Sequence, residues 1–362
     1  MHRFLALPHT LTWTKKGAIV LASSCVALGA SGCAGASYAF DSIAGTPEAV
    51  ELMDLSPAQT MRDIVARSEA ATAERATQLA ALATECTDCA TLLTSTSETA
   101  EARLRASGGV WEPWGDFADR EDVTSFVELP PQVGQAPYTV GPLAAFMLRS
   151  AQEQLGELAQ VEGLTAAQRE ALASLLAGRI VSAQLLADGF AVDLTTALEN
   201  LPEGATSAVI PADTDRMSGA DQMSGLPDST QSAEISETAV ESALVRFDCA
   251  RTSLLELVGD GLDHDTAREG AAILNDRVKR LLEAGVSDTR PLRCTNTQTS
   301  VADVLTDVLT ADILLLSSST TRMQAAPYIA SDARWWAQKD PASAPTVSLL
   351  PITEENDEPQ SG

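Results

Sequence analysis

The sequence predicts an all-α protein built as two helical bundles joined by a flexible linker. Three observations lead there. Apolar residues recur at helical spacing through long alanine-rich stretches without glycine or proline. Helix-start signals stand where those stretches begin. No segment alternates apolar and polar residues as a half-buried strand requires.

The first start signal is Ser56-Pro57-Ala58-Gln59: serine caps, proline fits the first helical position, and glutamine completes a capping box. The pattern continues through Met61, Ile64, Val65, Leu79 and Leu82 to about Cys86. A second helix runs from about Cys89 to Ala106 and stops at Ser107-Gly108-Gly109. A long connection with prolines and tryptophans, Val110 to Pro142, separates it from helices over Leu143–Val161 and Thr165–Phe190. The latter opens on Thr165-Ala166-Ala167-Gln168, a second capping box. Pro202 to Ser232, with Met217-Ser218-Gly219 and Met223-Ser224-Gly225, has linker composition. Helices then fit Glu234–Val258, Asp265–Ala284 and Val301–Met323, the last with an apolar stripe of Val301, Val304, Leu305, Val308 and Leu309. The predicted boundaries are a leader over 1–32, a tether over 33–55, and an N-terminal bundle over 56–201. A linker over 202–232, a C-terminal bundle over 233–340 and a disordered acidic tail over 341–362 complete the chain.

The halves share a short pattern. Ala102-Arg103-Leu104 leads to Gly109-Val110 and Pro113, and Asp276-Arg277-Val278 leads to Gly285-Val286 and Pro291. Distant duplication and independent helix caps both account for it.

The N-terminal residues specify an address. Lys15-Lys16 precede an apolar core, Gly17 onward through Val26-Ala27-Leu28, which ends in Ala30-Ser31-Gly32-Cys33. The last four residues resemble the lipobox of bacterial lipoprotein signal peptides, in which the cysteine is lipidated and becomes the new N-terminus. The core is short and rich in Ser and Gly for a transmembrane helix. Ordinary cleavage and an uncleaved anchor are the competing readings. Lipidation of Cys33 implies a protein held on the extracytoplasmic face of the cell membrane.

The formal charge is −26, and removal of residues 1–32 would take away Arg3, Lys15 and Lys16 but no acid. Of the lysines only Lys279 and Lys339 would remain. So anionic a chain repels nucleic-acid phosphates and acidic headgroups, which excludes both as electrostatic partners. Membrane contact is left to the lipid, and several acyl chains hold where one does not.

Cys25 lies in the leader and Cys33 in the lipobox, leaving Cys86, Cys89, Cys249 and Cys294. Four cysteines in an exported chain suggest two disulfides, and the domain organisation favours Cys86–Cys89 with Cys249–Cys294 among three connectivities. Glu85-Cys86-Thr87-Asp88-Cys89 is also a CxxC, but its acidic neighbours raise thiol pKa values and no βαβ context surrounds it, so a structural bridge is expected over redox or metal chemistry. Asp260-Gly261-Leu262-Asp263-His264-Asp265 gathers three carboxylates and the only histidine beyond the leader. Its spacing is not that of an EF-hand, and it reads better as a glycine stop followed by an Asp cap. Trp111, Trp114, Trp335 and Trp336 are candidate binding residues, because paired aromatics stack on sugars or anchor protein interfaces; covering the bundle ends is the alternative. The chain has no G-x-S-x-G, no phosphate-binding glycine loop and no H-E-x-x-H.

The Cys86-x-x-Cys89 turn, the stretch from Ala102-Arg103-Leu104 to Gly109-Val110-Trp111 and the Leu-rich C-terminal helices resemble alanine-rich lipoproteins of actinobacteria. Some of these carry ferritin-like helical domains of uncharacterised function. The resemblance implies the bundle architecture without a di-iron site: such a site needs Glu-x-x-His pairs, and Gly261 stands three positions before His264. The expected function is a non-enzymatic cell-envelope lipoprotein that binds or scaffolds an envelope protein or glycan, with no cofactor. The alternative is a metal- or thiol-redox-active helical enzyme of the envelope.

Overall fold

Helix α1 (Pro57–Leu82) opens on a complete capping box: Gln59 N–H donates to Ser56 Oγ at 3.3 Å, and Ser56 N–H donates to Gln59 Oε1 at 2.9 Å. The computed structural model describes residues 56–111, 135–201, 229–260, 262–294 and 300–349. Cys33, the tether, Trp114, linker residues 202–228 and the tail beyond Leu349 lie outside them. Among the described residues the protein is all-α, with no strand.

Helix α2 (Thr87–Ala106) is capped by Cys86, whose sulfur accepts from Cys89 N–H at 3.2 Å. It ends in a Schellman-type turn: Gly109 N–H donates to Leu104 O at 3.0 Å, and Gly108 takes φ +94°, where a side chain is strained. Helix α3 (Val140–Gln160) and helix α4 (Ala166–Gly189) form the second hairpin, with a capping box from Thr165 and Gln168 at the head of α4. The short helix α5 (Leu194–Glu199), capped by Asp193, packs on α3; the sequence pattern is too short to announce it. Helix α6 (Ser229–Glu256) begins inside the segment read as linker. Helix α7 (His264–Glu283) follows, its end marked by Gly285 at φ +90°.

The single helix expected over Val301–Met323 is corrected to two. Helix α8 (Val301–Leu314) gives way to a 3-10 turn at Leu315–Ser317, and helix α9 (Arg322–Lys339) starts anew. The break falls in a run of serines and threonines whose hydroxyls compete for backbone groups: Thr321 Oγ1 donates to Leu315 O at 2.7 Å. Pro327, inside α9, hides that helix from the sequence pattern.

The four helices α1–α4 pack as one bundle, α1 on α2, α3 on α4, and the hairpins on each other. In the other half, α6 carries α7 and α8 while α9 packs on α8. The two bundles are not separated as expected. Helix α9 also lies along α3 and α4, and one continuous hydrophobic core runs through both halves. The reason is α4, which is apolar nearly all round and buries residues from Leu172 to Ala187. Its composition would suit a membrane span, yet 83% of its apolar window is buried in the protein. An all-round apolar helix needs cover on every side, and α9, with buried Ala325, Ala326, Ala330, Ala333 and Ala337, supplies the missing side.

The tail boundary is also corrected. Residues 341–349 pack back onto the N-terminal bundle, where Ser174 Oγ lies 2.7 Å from Ser348 Oγ and accepts from Leu349 N–H at 2.7 Å.

Candidate functional site

The cysteines form two bridges, Cys86–Cys89 and Cys249–Cys294, with Cα separations of 5.2 and 5.4 Å. The first closes the α1–α2 turn; the second ties α6 to the segment after α7. Asp263 is the N-cap of α7, and its Oδ2 accepts from Thr266 N–H at 2.9 Å. That backbone bond holds the Asp263 carboxyl below the usual range, and His264 beside it is exposed. Among the described residues no three His, Cys, Asp or Glu side chains gather as a metal site would require.

The tryptophans do not act as one exposed set. Trp336 is 2% exposed and its indole N–H donates to Ser343 Oγ at 3.0 Å, so its assignment as a binding residue is corrected to a core role. Trp335 is half-buried, its ring close to Gly270 of α7. Trp111 is also half-buried. Its N–H donates to Asp63 Oδ1 at 2.8 Å and its carbonyl accepts from Arg67 at 2.9 Å, which pins the chain after α2 onto α1.

Two buried polar layers are what sequence reading missed. In the first bundle, Glu69 Oε1 receives Arg179 Nε at 2.6 Å and lies 2.9 Å from Arg103 Nε, close enough for ion pairing although misaligned for a hydrogen bond. Gln154 Oε1 accepts from Arg179 at 2.8 Å, and its amide donates to Ser68 Oγ at 2.8 Å. Burial lowers the Arg179 pKa; Glu69 opposes that shift and Arg103 adds to it.

In the second bundle, Arg277 of α7 donates to Asp312 of α8 at 2.8 Å and to Asp332 of α9 at 2.5 and 3.0 Å. The Tyr328 ring lies 4.2 Å from its guanidinium carbon and the Phe247 ring 5.5 Å. Burial works against the Arg277 charge, but the two carboxylates outweigh it and hold its pKa up. Burial pushes the Asp312 carboxyl well above the usual range, Arg277 pulls it back and Asp332 raises it further. The available signal was a charge inside an apolar stretch, as in Ala177-Gly178-Arg179-Ile180 and Ala311-Asp312-Ile313. Such charges are almost never buried unpaired.

Arg277 reaches the surface at a cleft of about 500 Å³ between α7 and α9. Ala272 and Ile273 give it an apolar side; Asp276, Arg280, Tyr328 and Ser331 supply hydrogen-bonding groups. A second cleft of about 480 Å³ lies on the other flank of α9, against α3, where Met323, Pro327 and Arg334 face Gln152 and Gly156. Ser331 lines both, so the exposed ridge of α9 stands between them. Among the described residues neither histidine nor cysteine lines either cleft. The arrangement is suited to holding a ligand by hydrogen bonds and apolar contact.

Fold and clefts together define an all-helical protein with a two-sided surface along α9. No family model matches the chain, and no curated protein or solved structure is significantly similar to it.

Proposed function

We propose that this is a lipid-anchored protein of the cell envelope that binds or scaffolds an envelope protein or glycan through the α9 face, without catalysing a reaction. The observation that carries the reading is the pair of clefts flanking one exposed helical ridge, with Ser331 common to both. Such a ridge offers a partner two grooves and mixed polar and apolar contacts, the composition of a non-obligate interface. The lipobox at Cys33 supports the address, and the anionic chain supports solubility outside the cell. The proposal extends to the class that the chain resembles, alanine-rich actinobacterial lipoproteins with ferritin-like helical domains.

The test places a photo-crosslinking side chain at Ile273 or Ser331 of the full-length protein in intact envelopes. A discrete adduct from these positions, absent from a control at exposed Thr91 and lost in Arg280→Glu, is the expected result. Equal labelling from all three positions overturns the α9 face as the binding surface.

A further inference from the structure

The Glu69 layer has a charge imbalance and a removable roof. Arg103, Arg179 and Glu69 are all 0% exposed, so two guanidinium groups share one carboxylate in the core of a chain whose formal charge is −26. Arg103 Nη2 has no hydrogen-bond partner, and Glu69 Oε2 has none either. What covers Arg103 is the segment after α9. Arg103 Nη1 donates to the Thr346 carbonyl and, at 3.0 Å, to Ser182 Oγ, whose own hydroxyl proton is shared between the Gly178 carbonyl at 3.0 Å and the Thr346 carbonyl at 3.3 Å.

This roof is held through its backbone. Thr346 O and Leu349 N–H make the main contacts, residues 345–349 remain partly exposed, and they form no helix. Gly178 makes room for it: a Cβ there would stand 2.5 Å from Val347 O and 2.8 Å from its carbonyl carbon. The third nearest atom, Thr346 O at 3.1 Å, also belongs to the strap, so the bare surface of α4 at this point serves it.

We infer that the groove between α2 and α4 is a carboxylate-binding site, closed in this structure by the protein's own strap over residues 344–349. The Thr346 carbonyl occupies the position of a ligand oxygen. A carboxylate there receives charge-assisted bonds from Arg103 Nη1 and Nη2 in fork geometry and a bond from Ser182 Oγ. These are stronger than the bonds a neutral carbonyl accepts. It also neutralises the excess positive charge, which the strap does not. The strap and the ligand are therefore competitors, and binding opens the roof. The α9 face plays no part, since none of these residues lines either cleft.

The test is an acetate titration at constant ionic strength, followed by calorimetry and by hydrogen exchange at the Leu349 amide. In the unaltered full-length protein, acetate should accelerate exchange at Leu349. Gly178→Ala, which evicts the strap, should bind acetate at least tenfold more tightly than the parent. Ser174→Ala, which removes an anchor of the strap and leaves Arg103 untouched, should shift affinity the same way and keeps the test decisive if Gly178→Ala does not fold. Adding Arg103→Gln to either variant should abolish the gain. Unchanged Leu349 exchange with no tightening in a folded variant overturns the proposal. So does binding that survives Arg103→Gln, or an equal response to chloride.

Discussion

Arg277 Nη1 lies 2.8 Å from Asp312 Oδ1, with the arginine 4% exposed and the carboxylate fully enclosed. The pair links α7 to α8, and Asp332 brings in α9, so three helices of the second half converge on one guanidinium. Arg277→Leu should therefore cost about 3–5 kcal/mol near neutral pH, because it strands a buried carboxylate. The sign with pH follows from the carboxyls. Without the arginine the Asp312 carboxyl, already lifted by burial, is pushed further above its unfolded value, so the variant's stability is retained at low pH and lost as pH rises. Urea unfolding near pH 7.5 and near pH 4.5 should show the deficit shrink in acid. A deficit that stays constant contradicts the charge argument.

The two disulfides should differ in worth. Cys249 and Cys294 are 45 positions apart and Cys86 and Cys89 only 3. On chain-entropy grounds the long loop contributes about 4 kcal/mol and the short one about 2. Replacing both cysteines of each pair by serine and measuring unfolding should rank them in that order. Peptide mapping without reductant should recover Cys249 linked to Cys294; a Cys89–Cys249 peptide would require a different arrangement of the bundles.

The helices that were legible are those with both a start signal and an unbroken apolar period. Ser56–Gln59 and Thr165–Gln168 marked the starts of α1 and α4 to within a residue, because the cap is a local interaction written in four positions, whereas α1 ends at Leu82, short of the expected Cys86. Helix α9 was hidden by Pro327, which lies inside it, past the first turn, and reads as a stop because it removes a backbone hydrogen bond there. The fusion of the bundles was hidden because which face of an all-apolar helix meets which neighbour is a tertiary matter. The aromatic pair misled in part: Trp335 and Trp336 are adjacent, so on a helix they point about 100° apart, and only one could lie on an outer face. The charged layers were illegible for a similar reason. Glu69, Arg103 and Arg179 are far apart in sequence, and only packing reveals that each has a partner.

The proposed lipid anchor makes a simple claim about Cys33. Cys33→Ala should release the protein from membranes after a high-salt wash, since the remaining chain is too acidic to be held by anionic headgroups. Salt-resistant retention of the variant would show that the apolar segment before it is itself the anchor.

Glu157 gives the clearest dependence on pH. It sits on α3 one turn after Glu153, its Oε2 is buried without a hydrogen-bond partner, and burial with that neighbouring charge lifts its pKa from 4.5 to about 7. The folded protein thus holds this proton more tightly than the unfolded chain does. Its stabilising share is fully present below pH 4.5 and is lost as pH rises through about 7. Glu157→Gln keeps the shape and removes the titration. Thermal unfolding should find the variant more stable than the parent near pH 8, with the difference closing as pH falls below the unfolded pKa. A difference that does not change across that interval would show that Glu157 ionises in the fold as freely as in water.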